Sequence, residues 1–116
     1  MTITRGDTIF LSVKYYDKNK VPLIIPQGAT IKFTVKNRID GTKLFQKEIT
    51  RADYDEDNEC YKVVIQSSDT AGVQLNGKNK VDYYYDFQLS YMQDDIEVIK
   101  TMDKGKFVIK YDITTD

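Results

Sequence analysis

Apolar and polar residues alternate along much of this chain, most regularly between residues 81 and 113. Tyr83, Tyr85, Phe87, Leu89 and Tyr91 alternate with Asp82, Tyr84, Asp86, Gln88 and Ser90; after a polar break, Phe107, Ile109, Tyr111 and Ile113 alternate with Lys106, Val108, Lys110 and Asp112. A period of two predicts half-buried strands, with one face on a core and the other toward solvent. This block therefore reads as two strands joined by one turn, with an additional strand around Ile96 to Met102 carrying Glu97, Ile99 and Thr101.

Upstream, Thr8 to Tyr16 alternates with Ile9, Leu11, Val13 and Tyr15 on one face. Asp17 to Lys20 is a polar turn, and Val21 to Pro26 is an extended connection. Pro22 and Pro26 cannot donate ladder hydrogen bonds, which places that piece at an edge or between sheets. Thr30 to Lys36 directs Ile31, Phe33 and Val35 inward, and Asp40-Gly41 marks a turn. Lys43 to Thr50 is a strand of ambiguous face, with Phe45 and Ile49 opposed to Leu44. Cys60 to Gln66 is a further strand, with Tyr61, Val63 and Ile65 in register, and Ser67 to Gly72 predicts one short helical turn, the only helix expected.

The count is seven short, evenly spaced strands, which predicts an all-β chain: a seven-stranded, immunoglobulin-like antiparallel β-sandwich filling residues 1–116 as a single domain. The cysteine pair and tryptophan of antibody domains are missing, so the likeness is one of architecture. At 116 residues the chain is long enough to bury about two thirds of its unfolded surface without disulfides or metal.

Charge and composition narrow the function. Seventeen basic and eighteen acidic residues nearly cancel, which disfavours nucleic acid as a partner. A single cysteine, Cys60, suits folding in a reducing cytoplasm, no secretory leader is recognisable at the N-terminus, and no apolar run has the length of a membrane span. There is no histidine, so Ser-His-Asp and Cys-His nucleophile pairs are excluded, and an enzyme is not expected. Asp53, Asp55, Asp57 and Glu59 echo the start of a calcium loop, but the sixth and twelfth positions hold Asn58 and Val64 where an EF-hand needs Gly and Glu. The segment reads as a solvated turn, with a weak calcium site as the rival, and no other cofactor is implied. Arg5-Gly6-Asp7 spells an adhesion tripeptide, but before a strand it reads as a turn built on its glycine.

Of the nine tyrosines, Tyr15, Tyr61, Tyr83, Tyr85, Tyr91 and Tyr111 fall on inward positions as core. Tyr16, Tyr54 and Tyr84 fall outward or in loops, where rings can stack on sugars. Phe10, Tyr84 and Val108 are apolar positions on outward strand faces and form the candidate partner-binding surface.

Both ends of the chain carry a further signal. Ile3-Thr4-Arg5-Gly6-Asp7-Thr8 precedes an alternating strand and then Gly28-Ala29-Thr30-Ile31-Lys32-Phe33-Thr34-Val35-Lys36. Asp69-Thr70-Ala71-Gly72, Tyr85-Asp86-Phe87-Gln88-Leu89, Gly105-Lys106-Phe107-Val108-Ile109 and Asp112-Ile113-Thr114 follow in order. Over nearly its whole length the chain resembles the immunoglobulin-like domain at the N-terminus of bacteriophage baseplate upper proteins and related small tail proteins. That family's usual glycine in the first turn is replaced within Asp17 to Lys20, where Asn19 is able to take the same left-handed conformation. A baseplate upper protein also carries further domains, which this sequence does not contain.

The resemblance implies a non-enzymatic structural module of a phage tail or baseplate, made in the bacterial host cytoplasm and located in the virion. Its expected partners are other phage structural proteins or further copies of itself, met through a sheet face or an edge strand. The alternative is a carbohydrate-binding module contacting the host cell surface, with Tyr16, Tyr54 and Tyr84 as stacking platforms. Stacking needs at least two coplanar exposed rings, whereas assembly needs one contiguous apolar patch.

Overall fold

A computed structural model of the chain describes residues 1–111, so Ile113 and the Asp112-Ile113-Thr114 segment lie outside the described residues. Eight strands form among those described: β1 (Thr2–Thr4), β2 (Ile9–Val13), β3 (Thr30–Asn37), β4 (Lys43–Ile49), β5 (Tyr54–Asp55), β6 (Cys60–Ile65), β7 (Lys80–Gln93) and β8 (Ile96–Lys110). They make a five-stranded sheet, β1-β8-β7-β3-β4, and a three-stranded sheet, β2-β6-β5. The chain is all-β, but the expected seven strands are corrected in three places. β1 and β5 are too short for alternation to reveal, and the two segments expected at Ile96 to Met102 and from Phe107 onward are one continuous strand.

A β-bulge causes that last error. Phe87 pairs with Asp103 but Gln88 pairs with Thr101, which leaves Met102 as the extra residue. The insertion reverses the phase of alternation, so the two halves of β8 look like separate strands in sequence. A second bulge lies where Val35 pairs with Phe45 and Lys36 with Lys43. Leu44 is its extra residue, which explains the ambiguous face of β4: Leu44 packs on the core along with Phe45 and Ile49.

The core lies between the sheets. Ile31, Phe33, Val35, Leu89, Phe107 and Ile109 of the larger sheet meet Tyr61, Val63 and Ile65 of the smaller. Phe33 is its aromatic centre, stacked on Phe87 with ring centroids 4.4 Å apart and set edge-on to Phe45 at 5.8 Å and Tyr85 at 6.1 Å. The connection with Pro22 and Pro26 passes from β2 in one sheet to β3 in the other. It is anchored by Ile25, whose buried amide donates to the Tyr61 hydroxyl at 2.7 Å.

The expected helical turn is present as α1 (Ser67–Ala71), its start closed by Asp69 Oδ2 accepting from the Gln66 amide. An ion pair of 2.7 Å between Lys47 and Asp69 ties α1 to β4. A second helical turn, of the 3-10 type, spans Arg51–Asp53 and was not anticipated. In the first turn the left-handed residue is Lys20 rather than Asn19, because the Asp17 carboxylate accepts from the amides of Asn19 and Val21 and closes the turn around them.

Candidate interaction surface

The hairpin of β7 and β8 reaches beyond the body of the fold. The last residue of β7 paired with β3 is Ser90, opposite Thr30; past it, residues 91–99 pair only across their own hairpin. The turn is Asp94-Asp95, both with positive φ (51° and 63°), the backbone of a two-residue type I′ connection whose twist suits long strands. Four residues past Ser90 carry this arm about 13 Å outward. Among its polar residues it exposes three large apolar side chains: Met92 and Ile99, on one face, are 65 % and 57 % exposed, and Ile96, on the other, is 65 % exposed. Exposed apolar side chains grouped on one element mark an interaction site more often than scattered ones do.

The candidates from sequence are not brought together. Phe10 is 79 % exposed, but on β2, opposite Val64, on the outer face of the three-stranded sheet. Tyr84 and Val108 lie on the outer face of the five-stranded sheet, where Tyr84 pairs with Lys106 and Val108 with Asp82. A Lys106–Asp82 ion pair of 3.9 Å runs between these two, and Val108 is half-buried. The three residues are therefore not one surface.

The sugar-stacking candidates also separate. Tyr54 is half-buried, its ring centroid 5.0 Å from that of the buried Tyr61, so it is part of the packing and not an open platform. Burial, the nearby Glu59 carboxylate and neighbouring Tyr61 push its hydroxyl pKa up. Tyr16 follows β2, and Tyr84 stands on the other sheet beside a groove of about 460 Å³ lined by Thr34, Lys36, Asp86, Lys104 and Gly105. Of the tyrosines expected inward, Tyr61 is fully buried and Tyr15, Tyr83, Tyr85 and Tyr91 pack against the core. Tyr111 is corrected: it is 49 % exposed just past the end of β8.

The acidic loop is organised by its own hydrogen bonds. Asp53 Oδ2 accepts from the Thr50 amide and caps the 3-10 turn. Asp55 accepts from the Asp57 amide and the Asn58 side chain, and pairs with Lys62 at 3.2 Å. The Asn58 bond first, then the Lys62 bond and charge, lower the Asp55 pKa against the opposing effect of burial. Among the described residues, no three Asp, Glu, Cys or His side chains gather as a metal site would require. Cys60 is a buried, free thiol in β6. The adhesion tripeptide is a turn: Gly6, at φ 82°, donates its amide to the Thr70 hydroxyl at 2.9 Å, and the Arg5 guanidinium donates to the Val73 carbonyl at 2.9 Å.

In sequence the arm does not stand out, because its residues read as ordinary strand. The available signal was Ile96 and Ile99 standing among charged neighbours beside an Asp-Asp pair. Comparisons with protein-family models, with curated proteins and with solved structures return no match to this chain.

Proposed function

We propose that this chain is a non-enzymatic structural module of a phage virion, of tail or baseplate type, that works through protein–protein contacts. The observation that carries the contact role is the projecting β7–β8 arm with Met92, Ile96 and Ile99 exposed on it. Apolar side chains on a two-stranded extension contribute little to the body of the fold, and they gain most when a second protein covers them. The phage assignment rests on the likeness of the ordered segments from Ile3 through Ile109 to baseplate upper proteins. An immunoglobulin-like arrangement belongs to the same proposal. Two sheets around one core support it; the five-plus-three division and the parallel pairing of β1 with β8 depart from the seven-strand plan.

Particles of the encoding phage, purified on a density gradient and digested for peptide mass spectrometry, test the reading. Peptides of this chain are expected in constant ratio to the other tail proteins across the particle peak. Their absence from the peak, with the chain present in the lysate, would overturn it.

A second reading, binding of host-surface carbohydrate, draws on the groove beside Tyr84, where one exposed ring stands with Asp86, Lys36 and Lys104 able to bond hydroxyls. It predicts that glycan binding by the isolated chain disappears in Tyr84→Ala. The contact reading is preferred because the rings of Tyr16, Tyr54 and Tyr84 share no face.

A further inference from the structure

The outer strand of the arm is an open edge. Among the described residues β7 lies along one side of β8, whereas Met1 and β1 cover the other side only from Lys106 to Lys110. The two-residue turn sets which groups the open side presents. In such a hairpin the flanking pair, Gln93 and Ile96, exchanges hydrogen bonds, as do Tyr91 with Val98 and Leu89 with Lys100. The intervening residues Glu97, Ile99 and Thr101 therefore direct their amides and carbonyls away from β7. The row stops at the Met102 bulge.

Natural edges are usually blunted by charge, lysine above all. Here the nearest lysine, Lys100, is drawn back over its own hairpin, with Nζ 5.8 Å from the centroid of the Tyr91 ring. The middle of the open row is left to Ile99.

We propose that this edge takes a second copy of the chain, added antiparallel about a two-fold axis at Ile99, so that the two five-stranded sheets become continuous. An axis perpendicular to the sheet requires one residue to face itself. Centring on Ile99 sets Ile99 against Ile99, Glu97 against Thr101 and Val98 against Lys100, and it matches the outward amides and carbonyls of Glu97, Ile99 and Thr101 with those of the second copy. Moving the centre to Lys100 sets Lys100 against Lys100; moving it to Val98 sets Ile99 against Glu97. Along the open row from Glu97 to Thr101 the Ile99 register sets no like charges in opposition, and it buries the exposed isoleucine. The proposal deepens the contact role above and rests on that reading only for the arm being an interaction element.

Light scattering on the purified chain across a concentration series is the test. A mass rising to twice 13.5 kDa is expected, with Ile99→Lys shifting the midpoint of association at least tenfold higher in concentration while the far-ultraviolet circular dichroism is unchanged. Register is read by cross-linking in a Cys60→Ser background. Ile99→Cys should oxidise to a covalent dimer, whereas Thr101→Cys, which faces Glu97 and not itself, should remain largely uncross-linked. A chain monomeric at every concentration, a dimer indifferent to Ile99→Lys, or equal cross-linking at both positions would overturn the inference. A monomer that is nevertheless present in particles defeats this inference alone; a dimer missing from particles defeats the virion reading alone.

Discussion

At the scale of single residues, buried polar atoms fasten loops to the elements they cross. Tyr61 is the clearest. Its ring is buried in β6, and its hydroxyl accepts the amide of Ile25, a residue only 1 % exposed on the connection that crosses between the sheets. Removing the oxygen leaves that amide buried without a partner, a cost of about 1–3 kcal/mol, while the ring continues to fill its space. Tyr61→Phe should therefore lower stability by that amount in urea titration, with an unchanged denaturant slope. A loss below about 0.5 kcal/mol would mean that the crossing is held by Ile25 packing and not by the hydrogen bond. Thr70 works in the same way, closing the Arg5-Gly6-Asp7 turn onto α1 through the Gly6 amide. In sequence Tyr61 was legible as core, but its hydroxyl partner was not: Ile25 is thirty-six positions away, and only the folded crossing brings them together.

At the scale of elements, legibility followed the length of uninterrupted alternation. β3 and β6 have unbroken patterns that predict them close to their observed limits, whereas the pattern of β8 reads as two strands and that of β4 is ambiguous because Met102 and Leu44 each insert one residue and reverse the phase. The strands that escaped, β1 and β5, have too few residues to show a period. The partner surface was missed for a related reason: a strand pattern says which side chains share a face but not how far a hairpin outruns its neighbours. That reach depends on β3 ending opposite Ser90. It also has an energetic consequence. Beyond Ser90 the arm has its own ladder and little core, so it should open locally, at lower cost than the body. Its turn is improvable, because Asp94 and Asp95 both have positive φ and Asn-Gly suits that geometry better. The double substitution Asp94→Asn with Asp95→Gly should slow amide exchange several-fold within residues 91–99 and leave the global unfolding midpoint unchanged. A midpoint that rises with the local protection would show instead that the arm unfolds as one unit with the two sheets.

At the scale of the whole molecule, both sheets depend on one core, and the strands that close it come from opposite ends of the chain: Thr2 of β1 pairs with Val108 of β8. The pairings of β1 with β8, β2 with β6 and β3 with β7 form only when distant segments meet, so the body should fold on the millisecond-to-second scale of all-β domains and unfold as one cooperative unit. Phe33 tests that unity, because it is fully buried on the internal strand β3 and its ring touches Phe45, Phe87 and Tyr85 from both neighbouring strands. Phe33→Ala should cost about 3–5 kcal/mol from the lost transfer energy and the cavity left behind. For 116 residues the total stability expected is about 6–17 kcal/mol, so the variant keeps its fold with its urea midpoint sharply lowered. With nine tyrosines and no tryptophan, tyrosine fluorescence reports the packing around Phe33 and far-ultraviolet circular dichroism reports the strands. The two transitions should coincide in both the native chain and the variant. Fluorescence changing at lower urea than the strand signal would mean that the aromatic centre can loosen while the sheets persist, and that the two sheets are not held by this core alone.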